Sequence, residues 1–156
     1  MKKLPYRKNV QMWVFRPDCK LLVNEEGQKD IYWKFPQGGI DEGETPREAA
    51  KRELQEEVNI TQFEILAKSK FNNKYDYLPE SQIKKGLRGQ SQTSFLIFVK
   101  DHQQAKIMEK GIRKMEWVTF EEALSRFTFP NQIEASKIIW KEFEPMVERF
   151  LTKKIT

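Results

Sequence analysis

The chain of 156 residues has one cysteine, no internal repeat and no long apolar run. With Cys19 alone, no intrachain disulfide can form, which favours a reducing compartment such as the cytoplasm. Its strongly apolar runs, such as 95–99, are far shorter than the roughly 20 residues that span a bilayer, so no membrane partner is expected. Lys2 and Lys3 precede Pro5 and polar residues rather than an apolar stretch, so we expect no export signal.

Charge is unevenly distributed along the chain. The 28 Lys and Arg exceed the 23 Asp and Glu by five. Between Asp41 and Glu57, however, seven acidic residues face three basic ones, a local charge of −4 that leaves +9 elsewhere. A basic surface suits a polyanion, whereas a dense acidic segment suits a cation or a solvated helix face. Without a low-complexity linker, we expect a single domain at 6–151, with 1–5 and 152–156 frayed.

The pattern of apolar and turn residues predicts a mixed α/β architecture. Two β-prone runs flank Arg16-Pro17-Asp18 and predict a hairpin. Gly38-Gly39 is predicted as a flexible turn, 72–86 as a long polar loop, and Asn131 as the cap of a long C-terminal helix. The predicted strands are 10–15, 20–23, 31–35, 61–70, 92–99 and 114–118. This order favours a mixed sheet with helices on both faces, an α/β/α sandwich.

A helix at 46–58 has clear start signals. Thr45 is a good N-cap, Pro46 suits the first helical position, and Glu48 completes a capping box. An apolar stripe predicts the buried side of this helix: Ala50, Leu54 and Val58.

Three carboxylates lie beside that stripe. At about 100° per residue, Glu53, Glu56 and Glu57 share an arc of about 100°. Two carboxylates about 6 Å apart repel by roughly 3 kcal/mol at an effective dielectric near 20. Arg52 should point about 100° away from Glu53 and pair with Glu44, so a hard divalent cation is the better partner for the three acids. The alternative is an acidic helix face exposed to solvent.

The segment from Gly38 to Ile60 resembles the Nudix box. That pattern is glycine, five residues, Glu, seven residues, Arg-Glu, an aliphatic residue, any residue, Glu-Glu, any residue, glycine and an aliphatic residue. The match covers 23 consecutive positions and departs only at Asn59, where the family has glycine. Asn is the next best residue for the left-handed conformation that ends such a helix, so we expect the helix end to be kept.

The resemblance implies a Nudix-type fold, with a catalytic loop-helix-loop, that hydrolyses a nucleoside diphosphate linked to another moiety. It implies two or more magnesium or manganese ions, with Glu53, Glu56 and Glu57 as catalytic metal ligands and Gly38 offering a carbonyl. Glu53 is also the implied general base. Glu44 and Arg52 are implied to orient the loop over the metals, which agrees with the charge they carry.

Four further segments are similar to bacterial RNA pyrophosphohydrolases and dinucleoside polyphosphate hydrolases: 6–10, 33–40, 75–79 and 88–92. The similarity implies a nucleotide polyphosphate or an RNA 5′ end as partner, and no DNA. The implied substrate contacts are Arg7, Lys34, Gln37, Gln90, Gln92 and Phe129. Phe129 would stack on a base, with Phe127 as the alternative. The competing interpretation is that Arg7 and the glutamines are ordinary surface residues and that one of the two phenylalanines belongs to the core. Trp33, Phe35 and Trp117 are read as core from strand periodicity.

One region of the chain departs from that pattern, and another extends it. The RNA enzymes carry an arginine opposite the stacking aromatic, whereas 24–29 here offers only Lys29 as a positive residue. Relatives also supply a catalytic glutamate from the loop before the strand at 114–118. The matching stretch, 108–111, makes Glu109 a candidate further ligand.

Three functions therefore compete. The leading one is a metal-dependent pyrophosphohydrolase acting on RNA 5′-triphosphates or dinucleoside polyphosphates. A hydrolase of a free nucleotide, such as a nucleoside diphosphate sugar, is the second. A non-catalytic nucleotide sensor is the third, although the intact acidic set argues against it.

Overall fold

A computed structural model describes residues 3–155, so Met1, Lys2 and Thr156, part of the termini predicted to fray, lie outside the described residues. The strands are β1 (Tyr6–Phe15), β2 (Leu21–Glu26), β3 (Tyr32–Lys34), β4 (Gln37–Gly39), β5 (Glu64–Lys68), β6 (Asn73–Asp76), β7 (Gly89–Phe98) and β8 (Ile112–Val118). The helices are α1 (Pro46–Val58), α2 (Pro79–Lys85), α3 (Phe120–Arg126) and α4 (Pro130–Ile155).

The strands form one mixed sheet. Its main path runs β3-β2-β1-β7-β5, while β4 pairs with β1, β6 with β7 and β8 with β2. β1 and β7 are parallel from Tyr6↔Gly89 to Phe15↔Phe98, whereas the other pairings are antiparallel. The expected mixed sheet and the predicted hairpin of β1 and β2 are confirmed.

Alternating side chains of the central strands build a core on each face of the sheet. In β1, Trp13 and Phe15 join one core, and Met12 and Val14 join the other. The first core is completed by α3 and α4, and the second by α1. The α/β/α layering follows from this, because β1, β2 and β7 offer apolar residues to both faces of the sheet and the helices cover both. Within residues 3–155, no helix is long and apolar enough to cross a membrane.

Both ends of α1 lie where the sequence predicts them. Thr45 accepts a hydrogen bond from the Glu48 amide while the Glu48 side chain accepts one from the Thr45 amide, which completes the capping box. At the other end Asn59 adopts the left-handed conformation, with φ 58°. Its side chain also donates to the Gln104 carbonyl at 3.0 Å. The glycine-to-asparagine departure therefore preserves the helix end.

Three local predictions are wrong. Gln37–Gly39 is a strand rather than a turn, because Met12 and the facing residues of β1 supply hydrogen-bond partners at that edge. The stretch 72–86 contains β6 and α2 instead of a continuous loop. Asn131 lies inside α4, which begins at Pro130, and its side chain pairs with Asn73 of β6.

Of the three aromatics predicted as core, Phe35 is buried. Trp33 and Trp117 are half-buried and pack against the two cores.

Candidate active site

α1 directs two of its three predicted carboxylates inward. Ala50, Leu54 and Val58 are fully buried in the core, as their spacing predicts. On the adjacent side, Glu53 is 8% exposed and Glu57 5%, whereas Glu56 is exposed. The helix therefore carries Glu53 and Glu57 at the margin of a core rather than on a solvated face.

Arg52 links the loop before α1 to the carboxylates on it. Its Nε and Nη2 donate to both oxygens of Glu44, at 2.8 and 2.9 Å. Nη2 also donates to the Gly39 carbonyl at 2.9 Å. The guanidinium holds the pKa of Glu44 down at about 2, so this clamp persists at any ordinary pH. The predicted pairing of Arg52 with Glu44 is confirmed.

The expectation that Arg52 points away from Glu53 is wrong. Arg52 Nη1 donates to Glu53 Oε1 at 2.8 Å and to Glu56 Oε2 at 3.1 Å. A long side chain bends along the helix surface and thus reaches a neighbour that backbone angles alone place on another side. As a result, Glu56 faces Arg52, and one oxygen of Glu53 is fixed by the same guanidinium.

Gly38 lies directly against Glu53. A Cβ atom built on Gly38 would stand 2.1 Å from the Glu53 carboxyl carbon and 2.3 Å from Oε2. Such a contact is impossible without displacing the carboxylate. Because Gly38 has no side chain, the Glu53 carboxylate fits against β4, and the backbone of Gly38 lies next to the acids.

Glu109 joins these acids from a distant part of the chain. Its loop is fastened to the end of α1, because the amide of Met108 donates to the Glu57 carbonyl at 2.9 Å and that of Lys106 to the Val58 carbonyl at 3.0 Å. Carboxylate oxygens of Glu53, Glu57 and Glu109 all lie within 4.8 Å of one another. Glu56 is outside this group, so its predicted role as a ligand stays a prediction.

The acidic group suits a hard divalent cation. Glu57 Oε2 is buried and has no hydrogen-bond partner among the described residues. Burial, followed by the charges of Glu53, Glu109 and Glu26, raises the pKa of Glu57 to about 8, although Lys34 acts in the opposite direction. Burial likewise raises the pKa of Glu53 against the pull of Arg52. Three converging carboxylates, one of which has a buried oxygen without a partner among the described residues, fit a divalent cation with oxygen ligands. Such a cation would offset the free-energy cost of burying their charges.

The acids line a cleft of about 250 Å³ that also contains basic and amide side chains. Arg7 and Lys34 lie in its wall, together with Gln37, as their predicted roles require. Lys34 is 2.9 Å from Glu26, another residue of the cleft. Four carboxylates and two cations thus share one small cavity, which suits a cation and a phosphate chain bound together.

Gln90 and Gln92 are buried behind the cleft and support residues in its wall. Gln90 Oε1 accepts from Arg7 Nη1 at 3.4 Å. Gln92 Nε2 donates to Gln37 Oε1 and to Asn9 Oδ1, at 2.7 Å each. The structure therefore places both glutamines beside Arg7 and Gln37 and does not bring their own amides into the cleft.

The two candidate stacking residues differ in how far they are buried. Phe127 is 4% exposed and packs on Phe35, whereas Phe129 is 53% exposed. The Phe129 ring meets Tyr32, with the ring centres 5.8 Å apart. An aromatic residue, Tyr32, thus stands beside the exposed Phe129.

Sequence reasoning missed Asn9 and Glu26 in the cleft and Tyr32 beside Phe129. Two of these had a detectable signal, because residues two apart on a strand share a face. Asn9 follows Arg7 in β1 by two positions, and Tyr32 precedes Lys34 in β3 by two. Glu26 had no such signal. It belongs to β2, and it comes close to Lys34 because β2 pairs with β3 in the folded sheet.

Comparison with known proteins shows the family of this chain. The NUDIX domain family matches residues 5–138. The chain belongs to the Nudix family. As a Nudix hydrolase it is 35% identical over 153 residues to an RNA pyrophosphohydrolase of Rickettsia bellii, covering 93% of this chain and 94% of that protein. An RNA pyrophosphohydrolase of Helicobacter pylori is 41% identical over 100 residues, covering 61% and 64%.

The fold is also that of solved Nudix structures. A Caenorhabditis elegans Ap4A hydrolase binary complex superposes with a TM-score of 0.71 at 20% identity, covering 89% of this chain and 98% of that one. At this identity the likeness concerns the fold alone. The α/β/α sandwich with its long C-terminal helix is therefore the Nudix fold.

Proposed function

We propose that this Nudix hydrolase is a metal-dependent pyrophosphohydrolase that removes pyrophosphate from triphosphorylated RNA 5′ ends, splits dinucleoside polyphosphates asymmetrically, or does both. The observation that carries the proposal is the cluster of Glu53, Glu57 and Glu109 in a cleft that also holds Arg7 and Lys34. The acids suit the cations, and the two basic groups suit a phosphate chain. The names of the Rickettsia and Helicobacter relatives support RNA as substrate. We propose a cytoplasmic location, which would suit such a substrate.

The proposed cofactors are two or more Mg²⁺ or Mn²⁺ ions. Glu53, Glu57 and Glu109 would hold them, with Gly38 supplying a carbonyl and Glu56 a further carboxylate from the rim. When bound, these ions neutralise phosphoryl oxygens and acidify water.

The side chains of the chain then have separate tasks. Glu53 is the proposed general base, because burial raises its pKa and so makes it a better proton acceptor. Arg52 fixes one of its oxygens and leaves the other for a water proton. Arg7 and Lys34 bind and orient the phosphates, with Gln37 beside them. Phe129 and Tyr32, whose rings meet, offer aromatic faces to a base.

The substrate is tested by comparing turnover of triphosphorylated RNA, diadenosine tetraphosphate and a sugar nucleotide in the presence of Mg²⁺. We expect activity on one or both of the first two. Activity on the sugar nucleotide alone would replace the proposal with hydrolysis of a free nucleotide. Inactivity on all three would favour a nucleotide sensor.

The base is tested with Glu53→Gln. This variant retains an oxygen for Arg52 but cannot accept a proton, so turnover should fall by roughly 10²–10⁴-fold while the melting temperature stays close to that of the wild type. Glu64→Gln removes an exposed carboxylate from β5 and is the matched control, with expected activity equal to wild type. Near-normal activity of Glu53→Gln would exclude Glu53 as the base.

A further inference from the structure

The short helix α2 is anchored firmly yet contributes no buried residue to the fold. Gln82 fastens it, since its Nε2 donates to the carbonyls of Tyr77 and Arg88 at 3.0 Å each. In contrast, Ile83 is 84% exposed, and Leu78 just before the helix is 69% exposed. An anchored helix whose apolar side chains face outward presents a surface rather than supporting a core.

A chain of contacts leads from the active-site cleft to this helix. Arg7 lines the cleft, and its Nη1 donates to Gln90 Oε1 at 3.4 Å. The Tyr77 hydroxyl donates to the same oxygen at 3.1 Å. Lys85 Nζ, at the end of α2, lies 4.4 Å from the centre of the Tyr77 ring. Tyr77 and Gln90 therefore connect α2 to Arg7 in the wall of the cleft.

The charge around α2 is positive on balance, because Lys74, Lys84, Lys85 and Arg88 outnumber Glu80 and Asp76, the latter paired with Arg88 at 3.2 Å. This balance favours a polyanion. Lys84 and Lys85 are both exposed in its last turn. Next to it, Lys74 and Arg88 lie over the Tyr6 ring at 4.4 and 5.1 Å. Cationic side chains interleaved with aromatic rings are typical of surfaces that bind single-stranded nucleic acids without reading their sequence.

We propose that α2 and Tyr77 form a docking surface for the single-stranded nucleotides that follow the 5′-triphosphate of an RNA. The inference rests on the proposed function, because it requires the triphosphate to occupy the cleft. Seven helical residues span about 10 Å, which accommodates about three stacked nucleotides at roughly 3.4 Å each. Lys84 and Lys85 would contact their phosphates, while Ile83 and Tyr77 offer apolar and aromatic faces to the bases.

The test compares one variant on substrates of different length. Lys84→Glu/Lys85→Glu is assayed on a triphosphorylated dinucleotide, on a triphosphorylated single-stranded RNA of about 12 nucleotides, and on diadenosine tetraphosphate. We expect kcat/KM on the longer RNA to fall about tenfold, with a shallower salt dependence, and the two short substrates to be unaffected. Lys68→Glu/Lys100→Glu makes the same charge change on exposed lysines remote from α2 and should leave all three rates unchanged.

The remaining outcomes separate this inference from the proposed function. Hydrolysis of RNA that is independent of length and unaffected by the variant would overturn the docking surface alone, and would direct attention to a protein partner for α2. An equal loss on long and short substrates would also overturn it, because α2 would then act through the cleft. Failure of the wild type to hydrolyse any RNA would overturn the inference together with the RNA part of the proposed function.

Discussion

At the scale of single residues, the site depends on how closely Gly38 and Glu53 approach each other. The backbone of β4 and a carboxylate of α1 share a space that no side chain other than hydrogen leaves open. The same region holds Glu57, whose buried carboxyl has an unpaired oxygen.

Replacing Gly38 by alanine should displace Glu53, because the new Cβ would overlap its carboxyl group. Since small misplacements of a reacting group cost large factors in rate, we expect turnover to fall by about 10²-fold. Gly111→Ala is the control, since its Cβ would meet only Glu26 Oε1 at 3.9 Å. Steady-state kinetics of both variants check the prediction. Equal activity of Gly38→Ala and Gly111→Ala would contradict it.

Metal binding should depend on pH through Glu57. Because the pKa of this carboxyl is raised to about 8, the metal-free protein holds its proton below that pH, and a cation must displace it. Apparent Mg²⁺ affinity should therefore rise with pH up to about 8, by at most about tenfold per unit, and then level off. Calorimetry in buffers of different ionisation enthalpy counts the released proton.

The same shift affects the stability of the metal-free protein. The unfolded chain ionises this carboxyl near its ordinary value of 4.5, whereas the folded chain does so near 8. Folding is therefore progressively disfavoured as the pH rises between these values. Glu57→Gln should remove both pH effects, and their persistence in that variant would assign them to another group.

At the scale of elements, α1 is positioned by its own two ends. The capping box fixes where the helix starts, and left-handed Asn59 fixes where it stops. The start of the helix also sets where Arg52 lies relative to Glu44. A change at the cap should therefore shift the positions of the carboxylates on α1.

Thr45→Ala should cost about 1 kcal/mol of unfolding free energy by removing the cap of α1. Thr119 caps α3 with the same capping box, so Thr119→Ala is a matched control with a similar loss of stability. We expect turnover to fall only in Thr45→Ala, because α3 carries none of the clustered acids. Denaturant titration and kinetics test this, and indistinguishable activities would show that the cap does not position the site.

At the scale of the whole molecule, the two cores share one sheet. Ile97 lies in the core on the α1 side, and Ile139 of α4 in the core on the other side, both at most 1% exposed. Because β1 and β7 contribute to both cores, we expect residues 6–151 to unfold as one cooperative unit.

Ile97→Val and Ile139→Val should each lower the unfolding free energy by about 0.5–1.5 kcal/mol. Both should leave a single transition, seen at the same denaturant concentration by fluorescence and by circular dichroism. Two separated transitions in either variant would show that the faces unfold independently.

Local sequence was sufficient for features set by interactions between near neighbours. The hairpin at 16–18, both ends of α1 and the buried stripe through Leu54 depend on contacts within a few residues, and each is found where predicted. Glu109 was also proposed from the sequence, but only through the resemblance to a family. The failures at 37–39 and at 73–76 share a cause, since the pairing partners of these strands in β1 and β7 are distant in sequence.

The sequence by itself determined the family, the helix that carries the acids and the chemistry those acids favour, because a box of 23 consecutive residues contains all three. Only the tertiary structure decided which carboxylates converge. It turned Glu56 toward Arg52, brought Glu109 to Glu53 and Glu57, and anchored α2 beside the cleft. The physical reason is that burial and long-range pairing, rather than local spacing, fix where a side chain meets another that is distant in sequence.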